Sequence, residues 1–137
     1  MITAVDTNVL LDVFGADETF GERSAQAVRR CRREGRLVAC GAVWAETASC
    51  FPSVRAAQEA METLGVEYSE IGLEAALAAA AAWRRYRSRG GRRERVAADF
   101  LIGAHAKRQA DRLLTRDRGF YREYFDGLKV VDPSRSG

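Results

Sequence analysis

Short apolar runs alternate along the chain with longer stretches of helical periodicity. Ile2–Val5 reads as a strand, and Asp6-Thr7-Asn8 opens a helical turn over Val9–Phe14. Thr19 to Glu34 reads as a helix stopped by Gly35, and Leu37–Cys40 as a second strand. After Gly41 come a helix from Ala42 to Phe51 and, past Pro52-Ser53, another from Val54 to Leu64 that Gly65 ends. Val66–Tyr68 is a third strand. Leu73 to Arg87 is a helix whose alanine run, Ala78–Ala82, reflects the high helix propensity of alanine. Gly90-Gly91 breaks it. Arg95 to Ala110 is a helix, Arg112–Thr115 a strand, Phe120–Phe125 a short helix and Leu128–Val131 a fifth strand.

Strands that alternate with helices predict an α/β fold with a parallel sheet covered on both faces and joined by right-handed crossovers. In such sheets, sites form outside the carboxyl ends of the strands. The length of 137 residues suits one domain, expected over residues 1–132, with a mobile tail over 133–137. An apolar content of 47 % excludes a wholly disordered chain. No apolar run approaches the roughly 20 residues of a membrane helix, and no basic start with a long apolar stretch marks a signal peptide. The expectation is a cytoplasmic protein without membrane association. Cys31, Cys40 and Cys50 form no C-x-x-C pair and are odd in number, which points to reduced, mostly buried thiols rather than disulfides or structural zinc.

The net charge is only +3, but 20 of the 22 basic residues are arginine and the stretch Arg84–Arg95, RRYRSRGGRRER, is dense in them. The guanidinium fork suits phosphate. Arg92, Arg93 and Arg95 are candidate phosphate contacts; the alternatives are an acidic partner or a solvated helix end and loop.

Four of the 19 acids stand in unusual places. Asp6 follows the first strand directly, where it also suits a helix N-cap. Glu46 has Ala42, Val43, Thr47 and Cys50 at helical spacing, and Asp99 has Val96, Ile102 and Gly103, so both are expected on inward stripes. An arginine ion pair would explain either one alone. Asp117 leaves the strand ending in Leu114-Thr115 and also suits a turn or helix cap. Taken together, they can meet at one edge of a parallel sheet. Carboxylates that converge cannot all stay ionised without a cation. Hard divalent ions such as Mg²⁺ and Mn²⁺ prefer oxygen ligands, and two of them could activate water and stabilise the leaving oxygen of a phosphodiester. The single histidine, His105, argues against a histidine-based nuclease and is expected in a surface or satisfied role.

These segments resemble the PIN-domain family, and within it the VapC-type toxins. The matching pieces are Val-Asp-Thr-Asn-Val-Leu-Leu at 5–11, Ala-Glu at 45–46, Ala-Asp-Phe-Leu-Ile-Gly-Ala-His-Ala at 98–106 and Leu-Leu-Thr-Arg-Asp-Arg-Gly-Phe at 113–120. The resemblance implies a PIN-like three-layer fold with a five-stranded parallel sheet flanked by helices. It implies one or two Mg²⁺ or Mn²⁺ ions held by Asp6, Glu46, Asp99 and Asp117, with Thr7, Asn8 and Thr115 orienting the acids. The implied activity is endoribonuclease cleavage of structured RNA such as transfer RNA, restrained by a VapB-like antitoxin, in a homodimer.

Three other readings stay open. A PIN nuclease of RNA maturation would share the same acids, although the small size favours the toxin. A catalytically silent RNA-binding or scaffold domain would have no need of clustered negative charge near RNA. A flavodoxin-like or receiver domain also places acids at strand ends, but here a further acid lies on the helix after Gly41, and no phosphate-cradling glycine-rich loop is present.

Overall fold

The computed structural model describes residues 1–91 and 97–135. Its elements are β1 (Ile2–Val5), α1 (Thr7–Phe14), α2 (Gly21–Glu34), β2 (Arg36–Cys40), α3 (Gly41–Ala48), α4 (Val54–Leu64), β3 (Val66–Ser69), α5 (Leu73–Ser88), α6 (Ala97–Gln109), β4 (Arg112–Leu114), α7 (Arg118–Tyr124) and β5 (Val130–Val131). The five strands form one parallel sheet in the order β3-β2-β1-β4-β5. This is the α/β architecture expected, a five-stranded parallel sheet flanked by helices. Central β1 is buried from Thr3 to Val5, as a strand covered on both faces requires.

The element boundaries shift for local reasons. α2 starts at Gly21 rather than Thr19 because the Asp17 carboxylate accepts hydrogen bonds from the amides of Thr19 and Phe20, holding those residues in a turn. α3 ends at Ala48, three residues early. The Ser49 and Cys50 side chains both bond back to the Glu46 carbonyl there, ahead of Pro52. α4 matches its predicted bounds because Ser53 accepts from the Ala56 amide at one end and Gly65, at φ 86°, closes the other.

α5 and α6 pack against each other, and the small side chains of Ala75, Ala79 and Ala82 form the buried side of α5. The alanine run therefore serves close helix packing as well as propensity. Phe100 is wholly buried among the rings of Trp83, Tyr86, Phe120 and Tyr124. Burial of such a side chain contributes about 2–3 kcal/mol. It ties α5, α6 and α7 together beside the sheet and anchors the first turn of α6. Gly103 is required there: a Cβ would lie 2.4 Å from the Phe125 ring.

Cys31 and Cys40 are buried, Cys50 is exposed, and all three are free thiols. The tail expected to be mobile from Pro133 is held at its root: Pro133 is buried, Ser134 bonds to the Asp132 carboxylate, and Arg23 of α2 donates to the Ser134 carbonyl. Among the described residues, no helix is long and apolar enough to cross a membrane.

Candidate active site

Strand order reverses at β1. The chain runs outward through β2 and β3, then returns to lay β4 against the other side of β1. The crevice outside the carboxyl ends of β1 and β4 is thus the switch point where α/β sheets form sites. Val5 pairs with Leu114, so Asp6 and Thr115 leave the sheet side by side.

Asp6 is 5 % exposed. Its Oδ2 accepts from Thr115 Oγ1 at 2.7 Å, Tyr121 OH at 3.0 Å and Asn8 Nδ2 at 3.4 Å. Its Oδ1 accepts from the Thr7 amide at 2.7 Å, so the N-cap role is real and coexists with the rest. Asn8 is itself fixed, with Nδ2 on Thr115 Oγ1 and Oδ1 accepting from the Arg116 amide. Thr115 Oγ1 also accepts from the Asp117 amide. Thr7, Asn8 and Thr115 thus form a hydrogen-bonded network around the Asp6 carboxylate, which Thr7 extends to Glu46 and Thr115 to the Asp117 amide.

Burial drives the Asp6 pKa from its ordinary 3.8 up to about 6. The bonds from Thr115, Tyr121 and Thr7 hold it down, and the charge of Asp99 pushes it up further. Burial also raises the Tyr121 phenol well above its usual value, with added contributions from the charges of Asp6, Asp99 and Asp117. Three of the four acids thus act on one buried hydroxyl. Asp99 lies in the first turn of α6 and is half-buried. Asp117 occupies the N-cap position of α7, yet its side chain makes no cap bond.

Glu46 corrects an expectation. It is exposed rather than inward, because the buried stripe of α3 is Val43 and Thr47, four residues apart, and Glu46 flanks it. Its carboxylate still reaches the site, where Oε1 accepts from Thr7 Oγ1 at 2.7 Å. His105 is buried and satisfied, its Nε2 lying 2.8 Å from Ser69 Oγ.

Arg92, Arg93 and Arg95 lie outside the described residues. Earlier in the same arginine stretch, Arg85 donates to the Tyr124 carbonyl, Arg87 stacks over Trp83, and Arg89 pairs with Glu123. These side chains brace α5 against α7 and against its own aromatic face.

Sequence reasoning missed Tyr121 and the pair Asp12–Arg116. Tyr121 stands one helical turn after Asp117, a spacing that could have flagged it. Asp12 interrupts the apolar run Val9–Phe14, which was signal enough for a buried partner.

Among the described residues, no group of three or more histidine, cysteine, aspartate or glutamate side chains is placed to hold a metal ion. The donor set is all carboxylate and hydroxyl oxygen, and Asp6 carries a destabilised negative charge next to that of Asp99. Both features suit a hard divalent cation, and Mg²⁺ in particular takes one or two carboxylates and keeps waters rather than filling a protein cage.

A sequence-family profile of the PIN domain matches residues 3–125. A sequence search of curated proteins gives no significant match. Among solved structures, the chain is similar to VapBC2 from Rickettsia felis bound to a promoter DNA fragment. The TM-score is 0.74 at 16 % identity, covering 96 % of this chain and 98 % of the other. It is similar to VapBC-1 from nontypeable Haemophilus influenzae, with TM-score 0.71, 20 % identity and coverage of 98 % and 100 %. It is also similar to Mycobacterium tuberculosis VapC20, a sarcin–ricin loop cleaving toxin, with TM-score 0.60, 17 % identity and coverage of 93 % and 98 %. At these identities the likeness concerns the fold.

Proposed function

The chain belongs to the PIN-domain family, and from that premise we propose that it is a metal-dependent endoribonuclease, the toxin of a VapBC-type pair. The observation that carries the reading is Asp6, buried where β1 and β4 end side by side, its carboxylate held by hydroxyls, an amide and a carboxamide and made costlier by the charge of Asp99. Membership alone would not require these acids to be positioned by a network as complete as that around Asp6. The toxin assignment draws on the solved structures, two of which are VapBC structures and one a sarcin–ricin loop cleaving toxin.

In this proposal Asp6 and Asp99 hold one or two Mg²⁺ or Mn²⁺ ions, with Glu46 and Asp117 at the rim. A bound cation would supply positive charge for the scissile phosphate and lower the pKa of a water. The chain's own residues set the stage. Thr115, Tyr121 and Asn8 occupy Oδ2 of Asp6 with three donors, while Oδ1 takes one, from the Thr7 amide, which leaves Oδ1 the better-placed oxygen for a cation. Thr7 links Asp6 to Glu46 by donating to Glu46 with its hydroxyl while its amide serves Asp6. Arg92, Arg93 and Arg95 are proposed RNA contacts. A VapB-like antitoxin is the proposed inhibitor, and the cytoplasm the proposed compartment. A second copy of the chain is the proposed dimer partner, for which the exposed Leu73 and Leu77 of α5 offer an apolar face.

Expression of the chain without a partner should arrest growth, and Asp99→Asn should remove the arrest. Equal toxicity of the Asp99→Asn variant would show that cleavage is not the cause and sink the nuclease-toxin reading. Harmless expression of a protein that cuts RNA after purification would favour a maturation nuclease.

A further inference from the structure

Asp12 lies six residues beyond Asp6, on the same strand–helix unit, and is 5 % exposed. Both its carboxylate oxygens are occupied. Oδ2 accepts from Arg116 Nε at 2.7 Å and from Ser24 Oγ at 2.8 Å, and Oδ1 accepts from Arg116 Nη2 at 3.0 Å. This is the two-pronged geometry that makes guanidinium–carboxylate pairs both strong and directional. One face of the guanidinium lies over the Phe20 ring, with Cζ 4.1 Å from its centroid. Arg116 is also the middle residue of the turn Thr115-Arg116-Asp117, and its own amide donates to Asn8 Oδ1.

One side chain therefore joins three parts of the molecule: α1 through Asp12, α2 through Ser24 on the same carboxylate, and the α1–α2 connection through Phe20. What it fixes is the turn that carries Thr115 and Asp117 past Asp6. Between the sheet and α7, that turn is also anchored by the Asn8 and Thr115 side-chain bonds.

We propose that Asp12 and Arg116 are positioning residues of the candidate site, a clamp that sets where Asp117 and Thr115 stand relative to Asp6. The inference rests on the nuclease reading for its consequence but not for its geometry. Neither residue touches the proposed substrate or cation. Each acts through the turn. A lysine at 116 would keep the charge and lose the two-pronged bond, so it would hold the turn poorly.

The test uses the full chain in four forms: wild type, Asp12→Asn, Arg116→Gln and the double variant, with Arg116→Lys as a fifth. Three readouts are taken well below the melting temperature: exchange of the Arg116 and Asp117 amides by NMR, Mn²⁺ affinity, and kcat and KM on RNA. A clamp predicts at least tenfold faster exchange at these two amides with the core amide of Leu113 unchanged. It predicts weaker Mn²⁺ binding and a fall in kcat with KM little changed. Because the pair acts as one unit, the double variant should lose no more than either single variant. Arg116→Lys should recover only a minor part.

Unchanged protection of the Arg116 and Asp117 amides in all variants overturns the proposal. So does a lower melting temperature with Mn²⁺ affinity and kcat within twofold of wild type, which would mark the pair as structural only. Loss that adds up in the double variant also overturns it. If wild-type protein cuts no RNA, the nuclease reading fails while the amide exchange still decides the clamp.

Discussion

Asp6 and Asp12 are the same residue type at the same burial, one capping the start of α1 and the other in its second half, and they are treated in opposite ways. Asp12 is met by a guanidinium on both oxygens. Asp6 is met by an amide, two hydroxyls and a carboxamide, and among the described residues by no cation. The charge on Asp12 is compensated inside the fold. On Asp6 it is oriented but left uncompensated, and a second acid, Asp99, adds to its discomfort. A buried carboxylate with its counter-ion supplied is a structural part. A buried carboxylate with donors but no counter-ion among the described residues is a functional-site candidate.

The largest effect should come from breaking the uncompensated member. Asp6→Asn keeps the shape and the hydrogen-bond acceptor and removes the ligand charge, so cleavage should fall by at least ~10³-fold, which corresponds to several kcal/mol of lost cation and phosphate stabilisation. The fold should survive, and circular dichroism should be unchanged. Cleavage within tenfold of wild type would remove Asp6 from the site.

Breaking the compensated member should act on stability first. Asp12→Asn leaves a guanidinium with half a partner. Truncating one side of a fully buried pair costs roughly 3–5 kcal/mol, and since Arg116 is partly exposed we expect about 2 kcal/mol, read from the urea midpoint. A variant as stable as wild type would mean the pair contributes little beyond its replacement.

The comparison can be sharpened with pH. The folded-state pKa of Asp6 is raised from 3.8 to about 6, so between these values the native state binds more protons than the unfolded one. Stability from this group is therefore full below about pH 4 and falls as pH rises to about 6, by on the order of 3 kcal/mol in metal-free protein. His105 works the other way. Burial lowers its pKa below the ordinary 6.5, so the native state binds fewer protons and stability falls as pH drops through that value. The difference between wild type and Asp6→Asn isolates the first slope, and saturating Mg²⁺ should flatten it. No difference between the two proteins from pH 4 to 7 would mean that Asp6 titrates normally, against the burial argument.

Much of this was written in the sequence. The alternation of apolar runs with helical periods determined the α/β class, because a strand buried on two faces and a helix buried on one leave different spacings. It also placed every strand, with small errors at the ends. Helix ends moved where side chains such as Asp17 and Ser49 competed for backbone groups, a local contest that apolar periodicity does not record. The position of Asp6 directly after the first strand was legible, and so were Thr115 and Asp117 after the fourth.

What the tertiary structure alone decided is which carboxylate received a cation. The sequence marks both Asp6 and Asp12 as acids in unusual places but does not say which of them meets an arginine. Arg116 is more than a hundred residues away from both, and it reaches Asp12 because β4 returns to lie against β1 and Phe20 fixes the guanidinium plane. Likewise Glu46 was misread as inward, since helical spacing gives neighbours on a face but not the rotation of that face toward the sheet. Tyr121 entered the site because α7 turns back over the end of β1. Charge compensation is a matter of distance in space, and distances across a sheet are set by strand order, which a one-dimensional pattern leaves open.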